Sequence, residues 1–357
     1  MYKRFARAVH LHRFLVAFSL VYIFSILAII VALGGRLQDT LSFVSETALG
    51  FAASSMFFMV IMFFYLIRAL KTTPLGPRWF TDVMKRFEDS TAAYLTGERF
   101  MNAVLALLIA SPMTVFFCIG KGFIPLHGYT IDPALAAADR WLHLGRYPHE
   151  YIVPLVEKYN LSKTADMFYL TWFPILYLVC QFCFVADWNQ YRRMRFLWTF
   201  CLTWLIAGTI MAYLLASVGP YFFQFFYPCL HDPYMSLVEY LQAQNRLHPM
   251  DLFKVGHLEM DLTRSPDIVK LNALSAMPSM HIGMAVLFFL YATSVNRWLA
   301  VLFFLPYAVL IAFCSVYLGW HYAVDGYVVT LVTTLIWLAS GPLVRRLHPE
   351  LAALEDA

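Results

Sequence analysis

Charge is scarce in this chain. Asp, Glu, Lys and Arg make up 13% of its 357 residues, about half the share found in soluble domains, which excludes a water-soluble globular enzyme and a disordered tail. Cysteine is sparse as well. Six residues, several inside apolar runs, are too few and too scattered for a disulfide scaffold or a zinc framework. No repeat, low-complexity tract or soluble domain interrupts the sequence, and a formal net charge of +4 points to no nucleic-acid partner. What the chain has in abundance is apolar surface: 61% apolar residues, with 32 Phe, 21 Tyr and 9 Trp, and a mean hydropathy of +0.64. This is the composition of an integral membrane protein, with the aromatic residues serving mainly as lipid-facing and interfacial anchors.

A helix needs about 20 mainly apolar residues to cross a bilayer core. Eight windows qualify: Phe14–Leu33, Ala48–Leu70, Phe100–Ile119, Asp166–Ala186, Phe196–Val218, Met277–Ser294, Trp298–Leu318 and Tyr322–Leu343. They are too long and too uniformly apolar for barrel strands, so the expected fold is all-α, a polytopic bundle of about eight transmembrane helices. The first window follows a basic stretch, yet it exceeds the apolar core of a signal peptide and reads as an anchor.

Lys and Arg gather on the cytoplasmic side of membrane proteins. Lys3, Arg4, Arg7, Arg13, Arg68, Lys71, Arg78, Lys85, Arg86, Arg99, Arg192, Arg193, Arg195, Arg297, Arg345 and Arg346 fall on one side, and fewer cations lie in the longer loops opposite. Both termini are therefore expected in the cytoplasm. The segments Gly120–Ala165 and Gly219–Ala276 then face the periplasm of a bacterial inner membrane or the lumen of a eukaryotic endomembrane. Within Thr72–Gly97, charged residues alternate with Phe80, Val83, Met84 and Phe87, which reads either as an amphipathic helix on the inner surface or as a solvated linker. Ala134–Leu142 and Tyr151–Tyr159 read as short surface helices that roof a cavity.

Titratable groups at membrane depth are functional candidates by default, and two clusters stand out. Pro278-Ser279-Met280-His281 lies at the outer end of the sixth window, where Pro suits a helix's first turn and the free helix-start amides suit a phosphate. His321 and Asp325, at the start of the eighth window, are four residues apart and share a helix face. A carboxylate there holds one imidazole nitrogen as a donor and leaves the other its lone pair. The sixth helix runs inward, Val295–Arg297 reverses it, and the seventh returns, so both clusters reach the same membrane face. His281 and His321 are thus placed to flank one phosphorus atom, one attacking and the other protonating the departing alkoxide.

These residues resemble the type 2 phosphatidic acid phosphatase (PAP2) superfamily. Pro278-Ser279-Met280-His281 is similar to its P-S-x-H motif, and Tyr317-Leu318-Gly319-Trp320-His321 with Asp325 is similar to its S-R-x5-H-x3-D motif. Cys314 and Ser315 stand where that motif has Ser and Arg, and the K-x6-R-P motif is absent. The segment Ser217-Val218-Gly219-Pro220-Tyr221-Phe222 takes its place, a pattern similar to the inositol phosphorylceramide synthase branch. The sphingomyelin synthases share a comparable His, His and Asp set.

The resemblance implies a six-helix catalytic core at residues 100–344, preceded by two extra helices and the linker at 1–99 and followed by a cytoplasmic tail at 345–357. It implies a lipid phosphotransferase acting through phosphohistidine without metal or organic cofactor, with His321 as nucleophile, Asp325 orienting it and His281 as general acid and later base. The implied substrate-binding set is Pro278 and Ser279 with Gly219, Pro220 and Tyr221, although the last three also read as a plain helix terminus. The implied partners are a phospholipid or lipid-phosphate donor and either a lipid hydroxyl or water as acceptor. Water as acceptor makes the protein a lipid phosphatase, and loss of chemistry altogether makes it a lipid transporter or flippase. With the charged motif missing, the candidate cations are Lys121, Arg140, Arg146, Lys254, Arg264 and Lys270.

Other residues read as structural. Cys180 and Cys183 have redox spacing but sit in an apolar window. His231, Asp232, His248, His257, Glu259 and Asp261 lack metal-motif spacing and read as solvated loop residues. Asp139 and Arg140 read as a surface pair.

Overall fold

The computed structural model describes residues 2–36, 40, 55–95, 97–186, 189–268, 270 and 272–354. These residues are mostly helical, with no strand among them. Six helices are long and apolar enough to cross a membrane: Phe5–Ala32, Glu98–His127, Ser162–Phe184, Gln190–Leu214, Arg297–Tyr317 and Ala323–Leu347. The chain is an integral membrane protein, because backbone groups in hydrocarbon must be satisfied within the segment itself. One expected window is shorter in the structure and another is described only in part. The sixth is the 16-residue helix Met280–Val295. The second is Ser55–Thr72, and the part of that window from 48 to 54 lies outside the described residues, as do 355–357 of the expected tail.

Contacts divide the chain into two units, the first made of Met1–Val115, Cys180–Arg193 and Leu347–Ala357, the second of Phe116–Val179 and Met194–Arg346. In the first unit, α1 (Tyr2–Ala32), α2 (Ser55–Thr72), α3 (Trp79–Leu95) and the start of α4 (Glu98–Lys121) are joined by the segment around Arg193. The Thr72–Gly97 segment is helical over α3, which buries Val83 and Tyr94. Arg193, expected in a cytoplasmic loop, is buried instead. Its guanidinium donates to the carbonyls of Phe184 and Asn102 and meets His12 Nε2 at 3.1 Å, so the buried charge is solvated by backbone dipoles. Cys180 and Cys183 are buried there as well.

The second unit holds both motif clusters. Two short helices, α5 (Asp132–Leu142) and α6 (Pro148–Lys158), begin slightly earlier than their apolar pattern suggested, because Pro133 and Pro148 occupy their first turns. Next come α7 (Ser162–Leu170), α8 (Trp172–Gln181), α9 (Gln190–Leu205), α10 (Met235–Leu247) and α11 (Asp251–Arg264). The unit closes with α12 (Met280–Val295), α13 (Leu305–Tyr317) and α14 (Ala323–Leu347). Asn296 makes the reversal after α12, its Oδ1 accepting the N–H groups of Trp298 and Leu299 at 2.8 and 3.1 Å. The returning chain packs along α12, and α13 also touches α6 and α7. Close approach of α12 and α14 depends on small residues. A Cβ on Gly283 would lie 2.7 Å from Val329, and one on Gly326 would lie 2.8 Å from Ile282.

Candidate active site

Two helix starts deliver the catalytic candidates. Ser279 is the N-cap of α12, its hydroxyl accepting the Ile282 N–H at 3.5 Å. Pro278 therefore stands one residue outside the helix, not in its first turn. His281 follows in that first turn, enclosed by aromatic rings: Trp172 at 4.2 Å, Tyr169 stacked at 4.6 Å and Phe173 edge-on at 6.0 Å. Trp172 Nε1–H also donates to the His281 carbonyl at 3.0 Å, so one residue anchors both the ring and the backbone of His281.

His321 precedes α14, and its ring centroid lies 6.1 Å from that of His281. Its Nδ1 meets the Ala276 carbonyl at 2.6 Å and Asp325 Oδ2 at 3.4 Å. A carbonyl only accepts, so Nδ1 carries the hydrogen and Nε2 keeps the lone pair. Asp325 Oδ2 also accepts the Tyr322 N–H at 3.0 Å. The backbone that presents Ala276 is itself held by Ser217, whose carbonyl accepts the Ala276 N–H at 2.9 Å and whose hydroxyl accepts the Met277 N–H at 2.8 Å.

The Gly219-Pro220-Tyr221 segment lies against the chain just before His321. Tyr221 N–H donates to the Gly319 carbonyl at 2.8 Å. Gly219 has φ +88°, and a Cβ there would come within 2.6 Å of the Trp320 carbonyl oxygen. Pro220 and Tyr221 are buried.

Helix α5 supplies two residues that the sequence reading assigned no role or the wrong one. Asp132 is fully buried and accepts four donors: the N–H groups of Val218 and Gly219, at 3.0 Å each, and the hydroxyls of Tyr227 and Tyr322, at 2.9 Å each. Asp139 is buried as well, not a surface residue. Its two oxygens accept the N–H groups of Ala323 and Val324 at 2.8 Å and so cap α14. Burial pushes both carboxyls above the usual carboxylate range, and these hydrogen bonds pull them back. Only Arg140 is exposed, bonded to the Gly145 carbonyl.

Glu259 also differs from a solvated loop residue. It stands half-buried on α11, where Asn272 Nδ2 donates to its Oε1 at 2.8 Å. Burial raises its carboxyl, while the charges of Lys121 and His321 lower it. Asp232 is buried too, accepting the Tyr234 N–H at 2.8 Å, whereas His231, His248, His257 and Asp261 are exposed. Among the candidate cations, Lys254 pairs with Asp251 at 3.0 Å, Arg146 with Glu150 at 3.2 Å, and Lys270 donates to the Ser265 carbonyl at 2.8 Å. Lys121 stands in the last turn of α4. Cys314 and Ser315, at the positions of the missing Ser and Arg, are buried, and the Ser315 carbonyl accepts the Trp320 and His321 N–H groups at 3.1 and 3.3 Å.

The arrangement is therefore two imidazoles with ring centroids 6.1 Å apart and planes tilted by 58°, one of them tautomerically fixed, with the Asp325 carboxylate beside it. No curated protein and no solved structure matches the chain. A family model described as the PAP2 superfamily matches residues 133–339, more than half of the sequence and all of both motif clusters. The chain belongs to the PAP2 superfamily.

Proposed function

We propose that the protein is a membrane-embedded lipid phosphotransferase that moves a phosphoryl or phospho-alcohol group, of the phosphoinositol kind, from a lipid donor to a lipid hydroxyl. Superfamily membership suggests lipid phosphatase or phosphotransferase activity. The observation that carries the reading is the 6.1 Å separation of His281 and His321, combined with the Ala276 carbonyl behind His321 Nδ1. A phosphoryl group with each reacting nitrogen or oxygen at about 3 Å spans that gap.

In the first half-reaction, His321 Nε2 attacks phosphorus. The P–N bond forms, the P–O bond to the donor's alcohol breaks, and His281 delivers its proton to the departing alkoxide. In the second, His281 takes the proton of the acceptor hydroxyl, the acceptor oxygen bonds to phosphorus, and the P–N bond breaks to restore His321. The π faces of Trp172 and Tyr169 favour the cationic form that His281 passes through, and Asp325 favours the charge that develops on His321. We place eight helices across the bilayer, with both termini cytoplasmic and the site on the periplasmic or luminal face.

The test is incubation of purified protein with labelled phosphatidic acid, phosphatidylinositol and ceramide. A new phospholipid marks transfer, and free phosphate marks hydrolysis. Equal behaviour of wild type and His321→Ala with every donor would remove the enzymatic reading. A lipid extract compared before and after gene deletion names the product.

A further inference from the structure

Helix α5 has two faces of opposite character. Asp132, Ala136 and Asp139 are buried on one. On the other, Ala137, Arg140, Trp141 and Leu144 form one wall of an open groove of about 670 Å³, which Phe223 and His231 also line. Its size is that of a small-molecule site, and neither His281 nor His321 lines it.

Hydrogen bonds fix where this groove sits along the spanning helix α14. Asp139 caps the first turn of α14. One turn further along α5, His143 Nδ1–H donates to the Asp139 carbonyl at 2.7 Å, so its Nε2 accepts the Tyr327 hydroxyl hydrogen at 2.9 Å. Tyr327 heads an exposed row on α14 that continues through Leu331, Leu335 and Leu338, and the spacing of four, four and three keeps the row on one face. An exposed leucine row on a membrane-spanning helix faces lipid, and a tyrosine at its end belongs at the headgroup level. The end of α5 is thus bonded to the lipid-facing side of α14 at the edge of the bilayer. There Trp141 is 80% exposed and Leu144 92% exposed.

The charge of the groove is one-sided. Arg140 and His231 bring basic groups to it, and none of its lining residues is acidic. Neighbouring acids are engaged elsewhere: Asp139 with the amides of α14, Glu150 with Arg146, and Asp232 with the Tyr234 N–H. Arg140 is held in position twice by Gly145, whose N–H donates to the Arg140 carbonyl at 2.8 Å and whose carbonyl accepts from Arg140 Nε at 2.9 Å. Its terminal nitrogens have no carboxylate partner among the described residues. A guanidinium fork so placed matches two phosphate oxygens.

We infer that the groove binds an anionic phospholipid, with the phosphate on Arg140 and His231 and an acyl chain along Trp141 and Leu144. A basic end and an exposed apolar wall at the bilayer edge are complementary to a single molecule that carries both a phosphate and a hydrocarbon chain. The site is separate from the histidine pair and does not depend on the phosphotransfer reading.

The experiment places full-length protein in mixed micelles of phosphatidylcholine and phosphatidylglycerol, with one or the other lipid brominated on its acyl chains to quench nearby tryptophan. The quenching that disappears in Trp141→Phe is the signal of the groove. Wild type is expected to reach half of that signal at a phosphatidylglycerol fraction about fivefold lower than the phosphatidylcholine fraction that does so, the preference one arginine confers toward anionic lipid. Arg140→Gln is expected to bring the two fractions together. Arg140→Lys, which keeps the charge and loses the fork, is expected to fall between. Equal fractions in wild type, an unchanged preference in Arg140→Gln, or no quenching traceable to Trp141 overturns the inference. Recovery of the fluorescence on adding glycerol 1-phosphate overturns it as well, because the ligand would then be a soluble phosphate and not a lipid.

Discussion

His321 presents Nδ1 to the carbonyl oxygen of Ala276 at 2.6 Å, closer than the 3.4 Å that separates it from Asp325. In a triad whose aspartate alone sets the tautomer, the Asp→Asn change costs about 10⁴-fold in kcat, because the amide can hold the wrong tautomer. Here the carbonyl still demands a hydrogen on Nδ1 when Asp325 becomes Asn. The expected loss for Asp325→Asn is therefore smaller, about 10- to 100-fold, reflecting lost electrostatic support alone. His321→Ala is expected to abolish turnover. Initial rates of diacylglycerol release compare the two, and equal losses would show that the backbone carbonyl does not fix the ring.

Asp132 is expected to be indispensable to the shape of the site without touching its chemistry. All four of its partners are donors, two backbone amides and two tyrosine hydroxyls. An amide side chain must turn its NH₂ group toward at least one of them. Asp132→Asn is expected to lower stability by about 2–4 kcal/mol, the cost of losing charge-assisted hydrogen bonds and burying an unpaired donor. Tyr227→Phe, which removes one donor and leaves the carboxylate, is expected to cost about 1 kcal/mol. Thermal unfolding in detergent checks both, and a silent Asp132→Asn would contradict the assignment.

Gly219→Ala faces two obstacles at one position. The φ of +88° with ψ 164° is a conformation essentially reserved for glycine, costing an L-residue about 1–3 kcal/mol, and the added methyl would meet the Trp320 carbonyl oxygen at 2.6 Å, a backbone atom with little freedom to yield. Trp320 adjoins His321, so relief of the clash displaces the nucleophile. The expected result is a fall in kcat of about 100-fold, as a misplacement of 1 Å at a reacting centre produces, with donor binding largely retained. A variant with wild-type kcat would show that the Gly219 turn is not coupled to His321.

The convergence of the two histidines was legible because helix direction alone places His281 and His321 at the same end of neighbouring helices. The supporting carboxylates were harder to read. Asp139 bonds to residues 184 and 185 positions away, and no local pattern encodes such a partner. A cue did exist: Asp132, Ala136 and Asp139 are all buried on α5, and their spacing of four and three marks one helix face. Two acidic residues on a face that also carries alanine point inward to donors, not outward to water. Glu259 was obscured by its neighbours. His257 and Asp261 are exposed, so the segment reads as polar, but Leu252, Gly256, Met260 and Thr263 form a buried stripe on α11 and the half-buried Glu259 borders it. Pro278 was displaced by one residue because Ser279, the stronger cap, takes the boundary.

His149, in the first turn of α6, gives the short-helix segment a pH dependence with a definite sign. It is buried against the rings of Tyr147 and Tyr234, and burial holds its imidazole down at about 4, against an ordinary value of 6.5, with Glu150 opposing only in part. Below pH 6.5 the unfolded chain takes up a proton at this residue that the folded chain refuses until pH falls to about 4. Stability is therefore fully present above pH 6.5 and declines as pH drops through that window. At about 1.4 kcal/mol per pH unit the loss reaches about 3 kcal/mol. His149→Phe keeps an aromatic ring against both tyrosines and removes the titration. Melting temperatures of wild type and variant, compared from pH 7.5 to pH 4, are expected to run parallel above pH 6.5 and diverge below it, with the wild type falling faster. Subtracting the two curves cancels every other titrating group, so curves that stay parallel throughout would mean that His149 is hydrated in the folded protein and not sealed beneath α6.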